Sequence, residues 1–310
     1  MPSRVLVTGG AGFIGSHLAE ALLDRGCRVS ILDNMSSGRR ENIAGILDDL
    51  EHFHHDDIRD RAACMRAAAG ADAVFHLAAM TSVVKCMEEP HLANEVNLTG
   101  TLNMLEAARA GGAGKVVFAS SSAVYGDGPV QPKTEAMVPE PVSPYALQKY
   151  ASEIYCSLYR TLHGMETVSL RLFNVYGPRQ DPDSPYAAVI PIFMRRVLAG
   201  DTPVVYGDGE QTRDFVHVSD VVRANLLALE CPSLAGEAVN IASGTRTTIN
   251  HLLEILAEVT GRSFESSHEA PRPGEIIHSA ADISMAEGLL RFRPATSLTD
   301  GLKETCLSFR

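Results

Sequence analysis

The chain has 310 residues, of which 45% are hydrophobic and 21% charged, and this composition is that of a globular protein rather than a disordered one. Its formal net charge of -11 argues against extended binding to a nucleic acid or an anionic membrane, because both need clustered Lys and Arg. No apolar run approaches the roughly 20 residues of a membrane span, and no signal-peptide core follows Met1, so we expect a cytoplasmic protein.

Short β-branched runs alternate with longer helical patterns over the first half of the chain. This alternation is typical of right-handed βαβ units, which build a parallel sheet with helices on both faces. We therefore predict an α/β fold with a doubly wound parallel sheet of the Rossmann kind. The predicted strands are Arg4–Thr8, Arg28–Asp33, His52–His55, Ala73–Leu77, Lys115–Ser120 and Thr167–Phe173. The predicted helices, in which apolar residues recur at three- and four-residue spacing, are Phe13–Asp24, Arg61–Ala69, His91–Ala110 and Pro144–His163.

The pattern changes after residue 175, where pairs such as Gly177-Pro178 interrupt it. Pro191 and the turn Gly207-Asp-Gly209 interrupt it again, so we predict a smaller, loop-rich second lobe. Residues 1–175 are predicted to form the Rossmann domain, with 214–242 returning to it, and residues 176–213 and 243–310 to form the second lobe. The later predicted elements are helices near Ser219–Glu230, Thr248–Thr260, Ser284–Leu290 and Leu298–Leu307, and a strand over Ala238–Ile241.

The cysteines and histidines show no metal-ligand pattern. The six cysteines are scattered without a C-x-x-C pair, so we predict buried free thiols and no metal site. His52, His54 and His55 lack helical metal spacing as well, and we expect them on a solvated strand edge. His76 ends a predicted strand and is expected to be a hydrogen-bonded scaffold residue rather than a catalyst.

A glycine-rich turn, Thr8-Gly-Gly-Ala-Gly-Phe-Ile-Gly15, follows the first strand and opens the first helix. In such turns the glycines allow a tight bend, a close approach of backbone N–H groups to a pyrophosphate, and close packing of helix on strand. Asp33 ends the second strand about 20 residues further on, where a carboxylate accepts hydrogen bonds from the adenosine ribose. The combination predicts a dinucleotide site and favours NAD, since the carboxylate would repel the 2′-phosphate of NADP. Arg39 and Arg40 nearby leave NADP open.

A tyrosine and a lysine stand close together on a predicted helix. Pro144 begins this helix, and Tyr145 and Lys149 lie four residues apart on one of its faces. An ammonium group beside a phenol lowers the pKa of that phenol from about 10 toward neutrality, so that it can exchange protons with a substrate. Ser120-Ser121-Ser122 ends the fifth strand, where doubly wound sheets bind their ligands. The pattern predicts a proton-transfer site between the strand end and the helix.

Several motifs occur together, in one order and spacing. They are Gly9-x-x-Gly12-x-x-Gly15, His76-Leu-Ala-Ala79, Val96-Asn97-x-x-Gly100-Thr101, Ser121-x-x-Val124-Tyr125-Gly126 and Tyr145-x-x-x-Lys149. Further motifs in the second lobe are Arg171-Leu-Phe-Asn174-Val-Tyr-Gly-Pro-Arg-Gln-Asp-Pro182, Tyr186-Ala-Ala-Val-Ile-Pro191, Gly207-Asp-Gly-x-Gln-Thr-Arg213-Asp-Phe215 and Arg272-Pro-Gly-Glu275. With these motifs the chain resembles the extended short-chain dehydrogenases/reductases over nearly its whole length, and most of all their UDP-glucose/UDP-galactose 4-epimerase type.

The resemblance implies an isomerase that uses NAD and a UDP-sugar. Tyr145 would be the base that takes the proton from the sugar O4, Lys149 would lower the pKa of Tyr145 and bind the nicotinamide ribose, and Ser121 would hydrogen-bond O4. The sugar would pass through a transient 4-keto form, turn, and be reduced on its other face, which inverts C4 without net redox change.

The resemblance also implies two sets of binding residues. The NAD-binding set is Gly9, Gly12, Phe13, Ile14, Gly15, Asp33, Asn34, Asp57, Ile58, Leu77, Ala78, Ala79, Asn97, Tyr145 and Lys149. The UDP-sugar-binding set is Ser121, Asn174, Val189, Val204, Tyr206, Arg213, Arg272, Glu275 and Ser279. For Asp57, expected beside the adenine ring, a polar loop that caps the next helix is an equal alternative.

Departures from the family pattern bear on the subclass. Sugar-nucleotide dehydratases carry acidic residues directly after the Ser/Thr, and the related uronate decarboxylases keep an acidic residue there, but this chain has Ser122 and Ala123. Epimerisation does not need an acid at these positions and is therefore favoured. Ser279 falls at the position that resembles the family's size gate for the sugar C2 substituent. Serine is small, which implies that N-acetylhexosamine nucleotides also fit. Glu275 replaces the aspartate usual in its motif.

Other interpretations stay open on the sequence. A UDP-glucuronate 4-epimerase would differ mainly in a cationic or hydrogen-bonding group near the sugar C6, a sugar-nucleotide dehydratase is less favoured, and an NAD-sensing binding protein would be expected to lack the Tyr/Lys pair. The resemblance also implies a homodimer formed by the helices at about 91–110 and 144–163. The apolar residues available for that interface are Leu98, Leu102, Leu105, Tyr155, Leu158 and Tyr159.

Overall fold

The computed structural model describes residues 3–182, 188–271 and 277–309. Its strands, in chain order, are β1 (Arg4–Thr8), β2 (Arg28–Leu32), β3 (His52–His54), β4 (Ala73–His76), β5 (Lys115–Ser121), β6 (Glu166–Leu172), β7 (Asn174–Tyr176), β8 (Val204–Tyr206), β9 (Thr212–Arg213), β10 (Phe215–His217), β11 (Glu237–Ile241), β12 (Thr247–Thr248) and β13 (Ser267–Glu269). A seven-stranded sheet runs in the order β11-β6-β5-β4-β1-β2-β3, and each neighbouring pair in it is parallel. The predicted parallel sheet is confirmed, with β3 and its histidines at one edge.

Helices cover both faces of this sheet. They are α1 (Phe13–Asp24), α2 (Arg61–Ala67), α3 (Val83–Glu88), α4 (Pro90–Asn94), α5 (Gly100–Gly111), α6 (Pro144–His163), α7 (Val189–Ala199), α8 (Val218–Glu230), α9 (Ile249–Thr260), α10 (Ser284–Leu290) and α11 (Leu298–Ser308). Val5 and Val7 of β1 pack into a core with α1 and α8, whereas Leu6 between them packs into a core with α2, α5 and α6. The alternation of side chains along a strand therefore builds the two outer layers.

The predicted helix His91–Ala110 is interrupted in the structure. α4 and α5 are joined by one π-helical segment, Glu95–Thr99. The Asn97 carbonyl oxygen accepts hydrogen bonds from Thr101 Oγ1 at 2.6 Å and from Ser152 Oγ at 3.2 Å. These side-chain donors stabilise a local widening of the helix, which turns Asn97 toward α6.

The second lobe is more regular than we predicted. α7, α9 and α11 share a core that includes Phe193, Leu252 and Leu302. We predicted that Pro191 interrupts the regular pattern of helices and strands, but it is the third residue of α7. A proline is tolerated in the first turn of a helix because the N–H that it lacks has no partner within the helix there.

The packing of α8, β11 and α10 bears on the predicted division into two lobes. β11 lies in the seven-stranded sheet and α8 packs into the same core as α1. Ala286, Leu290 and Phe292, in and just after α10, pack into that core as well, although we assigned all of 243–310 to the second lobe. We propose that 214–242 and α10 belong to the first lobe.

All six cysteines are buried and free. Within the described ranges no helix is long and apolar enough to cross a bilayer.

Candidate active site

The glycine turn between β1 and α1 leaves bare backbone at the carboxyl edge of the sheet. Gly9 has a φ of +68°, and a Cβ at this residue would lie 2.8 Å from the Ala78 nitrogen. A Cβ on Gly15 would lie 2.1 Å from the Gly9 carbonyl oxygen. α1 can pack this closely on the turn because both positions are glycine. The turn therefore lies directly against the predicted NAD-binding segment Leu77-Ala78-Ala79 that follows β4.

The N-terminus of α1 has the properties of an anion site. The helix begins at Phe13 with Gly12 as its N-cap, makes no side-chain capping hydrogen bond and has no acidic residue in its first turn. The first N–H groups of a helix have no partner within it, and the helix dipole adds partial positive charge there. Gly12, Phe13, Ile14 and Gly15 therefore fit the pyrophosphate of NAD.

Asp33 connects the end of β2 to the same turn. Its Oδ2 accepts a hydrogen bond from the Ala11 nitrogen at 2.9 Å, and its Oδ1 accepts one from the Met35 nitrogen at 2.8 Å. Each carboxylate oxygen keeps a lone pair that a ribose hydroxyl can use. Arg39 was one reason to keep NADP as an alternative cofactor. In the structure it forms a salt bridge with Asp181 at 2.7 Å. Because this guanidinium already faces a carboxylate, the arrangement favours NAD.

Asp57 lies next to Asn34 at the ends of β2 and β3. Asn34 Nδ2 donates to Asp57 Oδ2 at 2.8 Å, and Arg59 forms a salt bridge with the same carboxylate at 2.9 Å. Although burial opposes the shift, these contacts lower the pKa of Asp57 to about 2. The polar loop after β3 caps α2 through Asp60 rather than through Asp57. The neighbouring Ile58 is buried, with 4% of its surface exposed.

Three predicted catalytic residues come together between β5 and α6. Tyr145 is 8% exposed, and its phenol interacts with Ser121. Lys149 follows one helical turn later and is 3% exposed. Its Nζ donates to the Ala119 carbonyl oxygen at 2.7 Å and lies 5.9 Å from the centre of the Tyr145 ring. A buried phenol and a buried ammonium group therefore lie beside the half-buried hydroxyl of Ser121.

Burial dominates the acid–base properties of this site within the protein itself. Burial raises the pKa of Tyr145 to about 12, although the interaction with Ser121 opposes the shift. Burial also lowers the pKa of Lys149 to about 8. Burial, Ser121 and Cys86 set the pKa of Tyr145 in the chain itself, so the expected lowering of that pKa by Lys149 stays a prediction.

Asn97 links the π-helical segment to the site. Its Oδ1 accepts a hydrogen bond from the Met80 nitrogen at 2.8 Å, and its Nδ2 donates to Gln148 Oε1 at 2.9 Å. Asn97 therefore contacts α6 through Gln148. Neither Gln148 nor Ser152 was among the predicted site residues, and their four-residue spacing along α6 was the available signal.

His76 has a scaffold environment, as we expected. Its Nδ1 lies 2.7 Å from Thr8 Oγ1 and its Nε2 lies 3.0 Å from Thr101 Oγ1. Because Thr101 donates its hydroxyl proton to the Asn97 carbonyl, it must accept from His76 Nε2–H, which leaves Nδ1 to accept from Thr8. Burial, followed by the charge of Lys149, lowers the pKa of His76 to about 3, so the ring stays neutral.

The buried His76 is expected to make stability depend on pH. Its folded pKa of about 3 lies below the ordinary 6.5, so the unfolded chain binds the extra proton between these values and stability falls as the pH falls through them. This one group contributes a slope of up to about 1.4 kcal/mol per pH unit. We expect His76→Gln to flatten the slope of the unfolding free energy, measured with denaturant between about pH 7 and about pH 4. The control is His52→Gln, at an exposed histidine, and an equal slope in both variants would contradict the assignment.

The predicted substrate residues of the second lobe gather around residues 212–214. Asn174 Nδ2 donates to the Asp214 carbonyl oxygen at 3.1 Å. The Ser279 nitrogen donates to the Thr212 carbonyl oxygen at 3.0 Å, and Arg213 Nη1 donates to the same carbonyl at 3.0 Å. Asn174, Arg213 and Ser279, far apart in sequence, therefore form one cluster.

Asp214 anchors this cluster and was not a predicted site residue. It is fully buried, and its carboxylate accepts hydrogen bonds from the Ser243 nitrogen at 2.8 Å, the Gly244 nitrogen at 3.1 Å and the Ala281 nitrogen at 3.2 Å. Burial raises its pKa despite these bonds. Its place directly after Arg213 in the recognised motif was the signal available in the sequence.

The other predicted substrate residues are spread over the second lobe. Val204 and Tyr206 are half-buried in β8, and Val189 is half-buried at the start of α7. β8 pairs with β13, which runs parallel to it. Arg272 and Glu275 lie outside the described residues.

Comparisons with known proteins agree with this geometry. The model of the NAD dependent epimerase/dehydratase family matches residues 5–242. The solved UDP-N-acetylglucosamine 4-epimerase of Methanobrevibacter ruminantium is 41% identical, with a TM-score of 0.93 over 99% of this chain and 98% of that one. The UDP-glucose 4-epimerase of Thermotoga maritima, solved with UDP-glucose, is 40% identical, with the same TM-score and coverage. A UDP-N-acetyl-alpha-D-glucosaminuronate decarboxylase of Bacillus cytotoxicus is 39% identical over 100% of this chain and 98% of its own length.

Proposed function

The chain belongs to the NAD dependent epimerase/dehydratase family, and from that premise we propose that it is a UDP-sugar 4-epimerase. The observation that carries the proposal is the buried pair Tyr145 and Lys149 beside the half-buried Ser121 at the end of β5, followed by Ser122 and Ala123 where dehydratases of the family carry acidic residues. Alanine cannot transfer a proton. Inversion at C4 needs one group that removes and returns the O4 proton, and Tyr145 is placed to be that group.

The residues of the chain divide the work of this reaction. Bound NAD supplies the hydride acceptor and donor. Tyr145 Oη takes the proton from the sugar O4. After the keto sugar has turned and C4 has been reduced on its other face, Tyr145 Oη returns the proton to the same O4. Ser121 holds O4 and the phenol together, and the Lys149 ammonium stabilises the phenolate form. The burial of Tyr145 and Lys149 excludes water from the reacting carbon.

We extend the proposal to the substrate. UDP-glucose and UDP-galactose are the expected pair, with UDP-GlcNAc and UDP-GalNAc as further substrates, because the small, half-buried side chain of Ser279 leaves room for an N-acetyl group. The two solved relatives, a UDP-N-acetylglucosamine 4-epimerase and a UDP-glucose 4-epimerase, support both pairs. Asn174 and Arg213, with Arg272, would hold the diphosphate. Val204 and Tyr206 would flank the uracil.

Nuclear magnetic resonance of the purified protein with separate UDP-sugars tests this function. Without added NAD, we expect inversion at C4 of UDP-galactose and of UDP-GalNAc. Turnover of UDP-galactose alone would overturn the role given to Ser279, and turnover of UDP-glucuronate alone would indicate a uronate epimerase. Release of carbon dioxide or formation of a 4-keto-6-deoxy sugar would indicate the decarboxylase or dehydratase chemistry of the family. Bound NAD without any turnover would indicate a binding protein.

We also propose that the protein is a homodimer formed through α6. This helix presents an exposed apolar stripe consisting of Leu147, Ile154, Leu158 and Leu162, which are 57%, 46%, 43% and 69% exposed. Leu105 and Tyr159, two residues that we predicted for the interface, are instead buried within the subunit. An exposed stripe of this length on a surface helix favours association with a second helix. Light scattering should give twice the mass of the chain, and Leu158→Glu should reduce that mass to one chain.

A further inference from the structure

Successive turns of α6 hold the carboxyl end of β5 by three side chains. Tyr145 interacts with Ser121, and Lys149 Nζ donates to the Ala119 carbonyl oxygen at 2.7 Å. One turn further along the helix, Glu153 Oε1 accepts a hydrogen bond from Ser120 Oγ at 2.5 Å. Tyr145, Lys149 and Glu153 therefore form a column on α6 that contacts three consecutive residues at the end of β5. The contact made by Glu153 lies between those made by the two reacting groups, Tyr145 and Lys149.

Glu153 is the charged member that is fixed most firmly in this column. It is 5% exposed and forms a two-pronged ion pair with Arg171 of β6, with Arg171 Nε to Glu153 Oε1 at 3.0 Å and Arg171 Nη2 to Glu153 Oε2 at 2.7 Å. Arg171 is 4% exposed, and its guanidinium stacks on the Tyr125 ring at 4.7 Å. Planar, bidentate pairs of this kind define both distance and orientation. Glu153 therefore ties α6 to β5 and β6 at once.

We propose that Glu153 is a positioning residue for the epimerase reaction. It sets the register of α6 against the end of β5, and so the distance between Tyr145 and Ser121, and it places a negative charge one turn from Lys149. This inference rests on the proposed epimerase activity. Glu153 itself acts through Ser120 and Lys149, and it does not touch the substrate.

Few other groups near Lys149 can carry a negative charge. Burial lowers the pKa of Lys149 to about 8, and the neighbouring Cys156 and Glu153 oppose that shift. Burial raises the pKa of Cys156 to about 12 and also raises that of Cys86, so both thiols are uncharged near neutral pH. The titratable groups that face Lys149 or its carboxylate partner are Tyr145, Glu153 and Cys156 on α6, Cys86 on α3, His76 on β4 and Arg171 on β6. Among these described neighbours, Glu153 is the anion that keeps Lys149 protonated.

Glu153→Gln separates positioning from simple structural support. We expect kcat to fall about 10- to 100-fold with little change in KM, because the reacting groups are misaligned after substrate has bound. We also expect the alkaline limb of the kcat–pH profile to move to lower pH, since Lys149 loses its anionic neighbour and deprotonates earlier. Glu153→Asp, which keeps the charge on a shorter side chain, should restore the position of the alkaline limb even if kcat stays low.

Two further variants keep the test decisive. Glu153→Gln leaves Arg171 buried without its carboxylate. If this variant does not fold, Glu153→Gln/Arg171→Met, which removes both charges, takes its place. The matched control is Glu51→Gln, which breaks the bidentate pair with Arg4 at the opposite edge of the sheet. We expect the control to retain the wild-type kcat and pH profile.

A titration of Lys149 provides a readout that needs no substrate. The Cε signal of a lysine in nuclear magnetic resonance reports the protonation of Nζ, and the Lys149 signal is identified by its absence from Lys149→Met. We expect the midpoint of the Lys149 titration at lower pH in Glu153→Gln than in the wild type, because the anionic neighbour is lost. An unshifted Lys149 titration together with an unshifted alkaline limb would overturn the role of Glu153. A wild-type protein that turns over no UDP-sugar yet shows the Lys149 shift would instead overturn the proposed function and leave the electrostatic part of the inference supported.

Discussion

Replacing Tyr145 with phenylalanine is expected to reduce the interconversion of UDP-galactose and UDP-glucose by about 10²- to 10⁴-fold, the range for removing a general acid–base group. The substitution deletes only the hydroxyl that interacts with Ser121. The ring remains to fill its place beside α3, so the fold should persist. Nuclear magnetic resonance of the sugar C1 protons measures the interconversion, and the absorbance of NAD released on denaturation shows whether the cofactor is retained.

The control for this variant is Tyr155→Phe, which removes a hydroxyl from the same helix away from the site. It should keep the wild-type rate. If Tyr145→Phe also kept most of that rate, Tyr145 could not be the group that exchanges the O4 proton. Loss of NAD from Tyr145→Phe would give its phenol a role in binding rather than in proton transfer.

Gly15→Ala is expected to prevent NAD from binding. The added Cβ would lie 2.1 Å from the Gly9 carbonyl oxygen and 2.8 Å from the Gly10 Cα, so the turn and the start of α1 must move apart. Overpacking of this kind costs about 1–3 kcal/mol of stability. Because the same movement displaces the N–H groups that face the pyrophosphate, we expect the purified variant to contain little or no NAD.

Denaturant unfolding and the NAD content of the purified protein measure the two effects of Gly15→Ala. The matched control is Gly45→Ala, since a Cβ at Gly45 meets nothing within 4 Å. That control should bind NAD normally and change the unfolding free energy by less than about 1 kcal/mol. Full NAD content in Gly15→Ala would show that the turn is not the pyrophosphate site.

Features that depend on local spacing were predicted correctly. The strands of the parallel sheet lie within about two residues of their predicted bounds, because β-branched runs and glycine turns are local signals. Tyr145 and Lys149 lie on one buried face because a helix repeats every 3.6 residues. The glycine turn and Asp33 meet because parallel strands bring their carboxyl ends to one edge.

Features that depend on distant partners were missed. The π-helical segment at Asn97 is stabilised by Ser152 of another helix, and no periodicity in 90–111 indicates it. α7 was overlooked because Pro191 can end a helix or sit in its first turn, and the sequence does not distinguish the two positions. α10 packs with the first lobe because of its contacts with α8 and β11, although it follows second-lobe residues in the chain.

The pattern of residues along the chain is sufficient to predict the sheet, the glycine turn and the Ser121, Tyr145 and Lys149 set, and it has no acidic residue at positions 122 and 123. The acid–base state of that set and the residues that hold it in register depend on the folded chain. Desolvation depends on everything packed around a group, so burial raises the pKa of Tyr145 and lowers that of Lys149. Glu153 likewise gained its place when α6, β5 and β6 came together around it.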